Sequence, residues 1–108
     1  MGQLRTSLWT IGLCAVAMSA AAADLPLVGE LSAKGGCALC HAADKKLIGP
    51  SNRDIAARYK GRPDAVAVLT ASVRQGSKGV WGTIAMPPTP PAKLSDADLR
   101  SLIGALLK

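Results

Sequence analysis

The sequence predicts a small all-α domain of about four helices. Three observations point there. Apolar residues recur at helical spacing in four short stretches. No stretch alternates with a period of two over strand length, and Gly or Pro separates most stretches from the next. The chain of 108 residues is the size of a single ordinary domain, without internal repeats.

The first 23 residues are set apart from that domain. Arg5 is the only charge before Asp24, an apolar run occupies 8–18, and Ala21, Ala22 and Ala23 offer the small side chains of a cleavage site. A retained membrane anchor is the competing reading, but a spanning helix needs roughly 20 apolar residues and this run is shorter. Cys14 lies inside the run, with Leu13 where lipid attachment wants a small residue, so lipidation is not expected. The segment 1–23 therefore reads as a cleaved secretory signal peptide and 24–108 as the domain, with no retained membrane anchor. Cleavage leaves two Cys, one Met, Trp81 and Tyr59, with no Phe, and lowers the net charge from +6 to +5. Two aromatic side chains are a thin supply for a domain that buries only about 60% of its unfolded surface. A bound group is expected to fill part of the centre, and the chain without it is expected to fold poorly.

Within 24–108, a first helix is expected over 26–34, with Leu27 and Leu31 one turn apart and Gly35 as the stop. The stretch 44–50 ends in Gly-Pro and reads as irregular. Asn52 can cap a second helix through Tyr59, on which Ile55 and Tyr59 stack, and Gly61 ends it. Pro63 and Asp64 open a third, with Val66, Leu69 and Val73 as its apolar stripe before Gly76. The segment 76–93 is rich in Gly and Pro and predicts turns and extended loop. Ser95 begins a last helix with Asp98 as a capping-box partner, and Leu99, Leu102, Ile103, Leu106 and Leu107 form its buried face.

The chemistry concentrates in Cys37-Ala-Leu-Cys40-His41. A Cys-x-x-Cys pair followed at once by His, behind an export signal, reads as a covalent haem attachment site. The two thiols add across the haem vinyl groups while the adjacent imidazole reaches the iron. Other readings are weaker. A structural disulfide leaves the adjacent His without a role, and a thioredoxin-like couple needs a βαβ setting that is missing. A closed zinc site wants four ligands, and 24–108 holds three Cys and His residues in all. One haem c per chain is expected. Within 24–108, Met86 is the only soft sulfur outside the attachment motif and lies 45 residues beyond His41, room enough for two helices to pass around the ring. Held between Ala85 and Pro87-Pro88, it is the expected second axial ligand, which favours reduced iron and raises the potential. An open distal site with Met86 as core filling is the alternative. The second ring nitrogen of His41 needs a partner, for which a carbonyl in the Gly49-Pro50 loop is placed by sequence. Trp81 can pack on the haem edge with its N–H toward a propionate and serve as a core tryptophan at once; Ser72 and Arg74 are weaker propionate candidates.

These residues resemble the short bacterial cytochromes c of the c-551/c-552 type. The resemblance runs over 27–108 and is carried by Cys-Ala-Leu-Cys-His at 37–41, Lys-Leu-Ile-Gly-Pro at 46–50, Gly-Ser-Lys-Gly-Val-Trp-Gly at 76–82 and Met-Pro-Pro at 86–88. It implies a small cytochrome c fold of about four helices around one covalently bound haem. It also implies His41 and Met86 as axial ligands, the Pro50 carbonyl bonded to His41, and Trp81 bonded to a propionate. The implied work is one-electron transfer in the periplasm, often from a quinol-oxidising complex to a nitrite reductase or terminal oxidase. Five positions depart from the pattern. Thr89 stands where an Asn often orients the Met sulfur, Ser32 and Ala105 stand where the terminal helices often pair aromatics, and Pro90 and Pro91 lengthen the loop.

Two axial ligands close the iron, which argues for a carrier rather than an enzyme; a haem enzyme or gas sensor with a vacant position is the other class, and a binding module the third. Expected partners are electron-donor and electron-acceptor redox proteins in weak transient contact, met by a monomer through a rim including some of Lys45, Lys46, Lys78 and Lys93. No basic run interleaved with aromatics suggests nucleic acid.

Overall fold

The computed structural model describes Gly12, Cys14, Ala15 and residues 24–108, so the segment read as a signal peptide lies almost wholly outside the described residues. Four α-helices and one 3-10 turn make up the domain: α1 (Leu25–Lys34), the turn Cys37–Leu39, α2 (Asn52–Tyr59), α3 (Ala65–Gln75) and α4 (Asp96–Leu106). Two isolated antiparallel bridges, His41 with Lys46 and Ser77 with Met86, are the extended pairings among the described residues. No helix among them is long and apolar enough to cross a membrane.

Three of the four α-helices begin where a short polar side chain satisfies a free N–H. Asp24 caps α1, its Oδ1 accepting from the Leu27 N–H at 3.3 Å, one residue earlier than expected because Pro26 occupies the first turn without needing a donor. Ser51, not Asn52, caps α2. Its backbone is extended (φ −65°, ψ 153°), as a cap requires, and its Oγ accepts from the Asp54 N–H at 3.0 Å, leaving Asn52 already helical. Ser95 caps α4 as expected, accepting from the Asp98 N–H at 3.1 Å. The capping box is only half formed, since the Asp98 carboxylate turns to Lys34; Asp is one methylene shorter than the Glu such a box prefers.

In α3 the buried stripe starts one residue earlier than expected. Ala65 is buried and Val66 is 50% exposed, while Leu69 and Val73 pack against the core. Asp64 makes no cap bond because Arg62 takes both carboxylate oxygens, at 3.0 and 2.7 Å.

The apolar core is the seam where α1 meets α4. Val28 and Leu31 pack there with Leu94, Leu99, Leu102, Ile103 and Ala105, all buried. Ser32 and Ala105 are both buried, so small side chains fill the places read as departures from an aromatic pair. Leu94, isolated in sequence between Lys93 and Ser95, is 0% exposed. Leu69, Val73, Leu106, Leu107 and Cys37 extend the seam toward a cavity on its flank.

Candidate haem site

The attachment motif is positioned by the end of α1. The Gly35 N–H closes that helix on the Leu31 carbonyl at 3.0 Å, and Gly36 then turns the chain through a left-handed conformation (φ 77°). The Cys40 and His41 N–H groups both donate to the Cys37 carbonyl, at 3.1 and 2.9 Å. That single turn brings Cys37, Cys40 and His41 to line one cavity. The two thiols are not joined to each other. Burial pushes the Cys37 thiol above its ordinary value, the opposite of the depressed thiol a reactive dithiol couple needs.

His41 is held by its own downstream loop. Nδ1 lies 2.7 Å from the Pro50 carbonyl oxygen. Because that partner can only accept, Nδ1 carries the proton and donates, and Nε2 keeps its lone pair. The loop is held by the Gly49 N–H on the Cys40 carbonyl at 2.9 Å. A Cβ at Gly49 would stand 2.7 Å from His41 Cε1 and 3.0 Å from Nδ1, so only glycine lets the loop come this close to the ring.

Met86 lines the same cavity and is fixed by the end of α3. Its N–H donates to the Ser77 carbonyl at 2.8 Å and its carbonyl accepts from the Ser77 N–H at 3.0 Å; the Thr89 N–H donates to the Val73 carbonyl at 2.7 Å. Gly76 (φ 80°) makes this pairing possible, as a Cβ there would meet the Met86 carbonyl oxygen at 2.7 Å. The prolines restrict the loop, but these backbone bonds place it.

Trp81 also lines the cavity, is 38% exposed and lies outside the α1–α4 seam. The Arg58 guanidinium lies 4.5 Å over its ring and donates to the Val80 carbonyl at 3.1 Å, a contact the sequence reading missed. Tyr59, the other aromatic, is buried. Ser72 reaches the cavity wall while its hydroxyl donates to the Val68 carbonyl at 3.0 Å. Arg74 does not line the cavity; its guanidinium is spent on the Thr89 carbonyl and Asp96, which removes it as a propionate candidate.

The cavity measures about 680 Å³, within the range of cofactor pockets, and its walls are mainly apolar. Ile48 and Ile84 line it yet are 57% and 66% exposed, side chains that a flat apolar group would cover. Among the described residues no three His, Cys, Asp or Glu side chains converge as holders of a bare metal ion. Two thiols and an imidazole on one turn, a thioether on a second loop and apolar walls fit a haem.

Comparison with known proteins agrees: residues 29–104 match the family Cytochrome c. The chain belongs to the cytochrome c family. It is 49% identical over 79 residues to cytochrome c2 of Rubrivivax gelatinosus, covering 73% of this chain and 93% of that one. It is 41% identical over 78 residues to cytochrome c-552 of Nitrosomonas europaea, covering 72% and 74% respectively. The crystal structure of wild-type Nitrosomonas europaea cytochrome c552 superimposes with a TM-score of 0.66 at 40% identity, over 73% of this chain and 95% of that one. The cytochrome is thus an all-α electron carrier, not an enzyme, with one covalently bound haem c per chain. Of the lysines expected at the rim of this cytochrome's haem site, Lys46 and Lys93 line the cavity; Lys45 and Lys78 are exposed outside its lining.

Proposed function

We propose that Cys37 and Cys40 hold the haem through thioether bonds, that His41 and Met86 are its axial ligands, and that the protein passes single electrons between two other redox proteins. The observation that carries this reading is the 2.7 Å contact between His41 Nδ1 and the Pro50 carbonyl, which leaves Nε2 for the iron, with Met86 lining the same cavity. The haem iron, when bound, supplies the one-electron couple. The chain's residues do the rest. The Pro50 carbonyl fixes the imidazole's tautomer and orientation. The Met86 thioether favours reduced iron, and the apolar walls exclude water. Trp81, steadied by Arg58, offers its N–H to a propionate. Asp24 caps α1, so removal of 1–23 leaves the first helix complete. The monomer meets its donor and an acceptor, a nitrite reductase or a terminal oxidase, through weak contacts near Lys46 and Lys93, whose charge favours an acidic patch.

Optical spectra of the holoprotein test the ligand set. The ferric form is expected to show the weak thioether charge-transfer band at the red edge. Met86→Ala removes that band, lowers the potential and lets carbon monoxide bind the reduced protein. High-spin iron in the unaltered protein, binding carbon monoxide at neutral pH, overturns the carrier reading in favour of a haem enzyme or sensor.

A further inference from the structure

We propose that Arg74 is a positioning residue for Met86, latching the Met86 loop between α3 and α4. The inference rests on the assignment of Met86 as an axial ligand. Arg74 lies in the last turn of α3, and its side chain is only 17% exposed. Nη1 donates to the Thr89 carbonyl at 3.1 Å, and Nη2 donates to Asp96 Oδ1 at 2.7 Å, on the first residue of α4. One planar fork thus joins the end of α3, the Met86 loop and the start of α4.

Backbone bonds place the loop, including those to the Pro90 carbonyl from the Lys93 and Leu94 N–H groups at 3.0 and 3.3 Å, and the fork adds the side-chain hold at Thr89. Pro87, Pro88, Pro90 and Pro91 have no N–H, so Met86 and Thr89 are the only backbone donors over 86–91. Ser77 and Val73 accept from those two donors. The Met86 carbonyl is taken by the Ser77 N–H, and the Thr89 carbonyl is taken by Arg74. Among the described residues, Arg74 is the one side chain in this four-bond clasp, and it closes the end downstream of the thioether. Asp96 is 78% exposed, so its pairing with Arg74 is worth little by itself; its effect is to hold the fork toward Thr89. A lysine offers one compact ammonium and cannot bridge both acceptors as a fork does.

The test is displacement of the Met86 thioether by added imidazole in the ferric holoprotein, read by loss of the charge-transfer band. Arg74→Gln is expected to raise the apparent imidazole affinity about tenfold or more, the size of effect given by losing a hydrogen bond to a charged donor. Arg74→Lys should fall between Arg74→Gln and the unaltered protein. Val28→Ala, in the α1–α4 seam and away from the cavity, should lower the melting temperature without changing imidazole affinity. An unchanged affinity in Arg74→Gln, with the band intact in both proteins, overturns the latch while leaving the ligand assignment standing. If Arg74→Gln does not accumulate as holoprotein, an unchanged affinity in Arg74→Lys overturns it. A missing band in the unaltered protein overturns the ligand assignment and the latch together.

Discussion

Between α1 and α4, Val28 and Leu31 pack against Leu99, Leu102 and Ile103, and each is under 9% exposed. Across the cavity flanking that seam, Ile48, Val80 and Ile84 are equally apolar but 42% to 66% exposed. The seam is made by side chains, which interlock because helical periodicity sends them the same way. The loop side of the cavity is set by backbone: the Gly49 and Gly76 close approaches, the Ser77–Met86 pair and the Pro50 carbonyl hold it opposite the side chains of α3 and α4. A region built the first way should tolerate apolar changes that keep volume. A region built the second way should respond to small displacements of main chain, and its apolar walls need a flat guest to cover them.

Leu99, Leu102 and Ile103 line the cavity as well, but damage on the α1 side of the seam, at Val28 or Leu31, should weaken the fold without being felt by the haem. Leu31→Ala is expected to cost about 2–5 kcal/mol. At about 4–8 °C per kcal/mol for a domain of this size, the loss is easily read in thermal unfolding. The Met86 charge-transfer band and the potential should stay as they were; a moved potential would show that the two regions are not separable. Gly49→Ala should act the other way. The new Cβ meets His41 Cε1, His41 Nδ1 and the Cys40 carbonyl oxygen within 3.3 Å, and none of these can retreat without breaking the turn or the Pro50 bond. A cost of about 1–3 kcal/mol is expected, together with a shifted potential and altered ferric absorption. A variant with the potential of the unaltered protein would remove the distinction drawn for the cavity.

The smallest effect belongs to Lys34 and Asp98, which join α1 to α4 at the surface of the seam. The hydrogen bond from Lys34 holds the Asp98 carboxyl below its ordinary value, and the same bond raises Lys34. A depressed acid contributes stability above its unfolded value, about pH 4, and loses it as pH falls through the folded value; a raised lysine contributes below its unfolded value, about pH 10, and loses it above. Lys34→Ala should thus lower the melting temperature slightly and evenly through neutral pH. The difference should close in acid, and salt should shrink it. A gap that persists at pH 2 would assign the effect to the packing of the lysine stem instead.

Much of the site was legible because its chemistry is local. Cys37, Cys40 and His41 lie within one turn, so their spacing states their geometry, and Met86 stood out as the only sulfur left. Arg58 on Trp81 and Arg74 on Thr89 were not legible. They join residues 23 and 15 positions apart, and a surface arginine gives no sign in sequence of which acceptor it meets. Leu94 was missed for a related reason: a single apolar residue in a loop has no period to reveal its face. Ser51 displaced Asn52 as a cap because either residue suits the role and only backbone conformation chooses between them.

By itself the sequence determined that this is a helical cytochrome with a Cys-x-x-Cys-His attachment site and a Met-Pro-Pro loop. Helical periodicity, ligand spacing and proline's missing donor are properties of neighbouring residues. The tertiary structure alone decided which glycine touches the imidazole, which arginine closes the Met86 loop, and that small side chains pack at the α1–α4 seam. Each of those facts depends on two distant segments meeting at contact distance, where a difference of a few tenths of an ångström separates a bond from a clash.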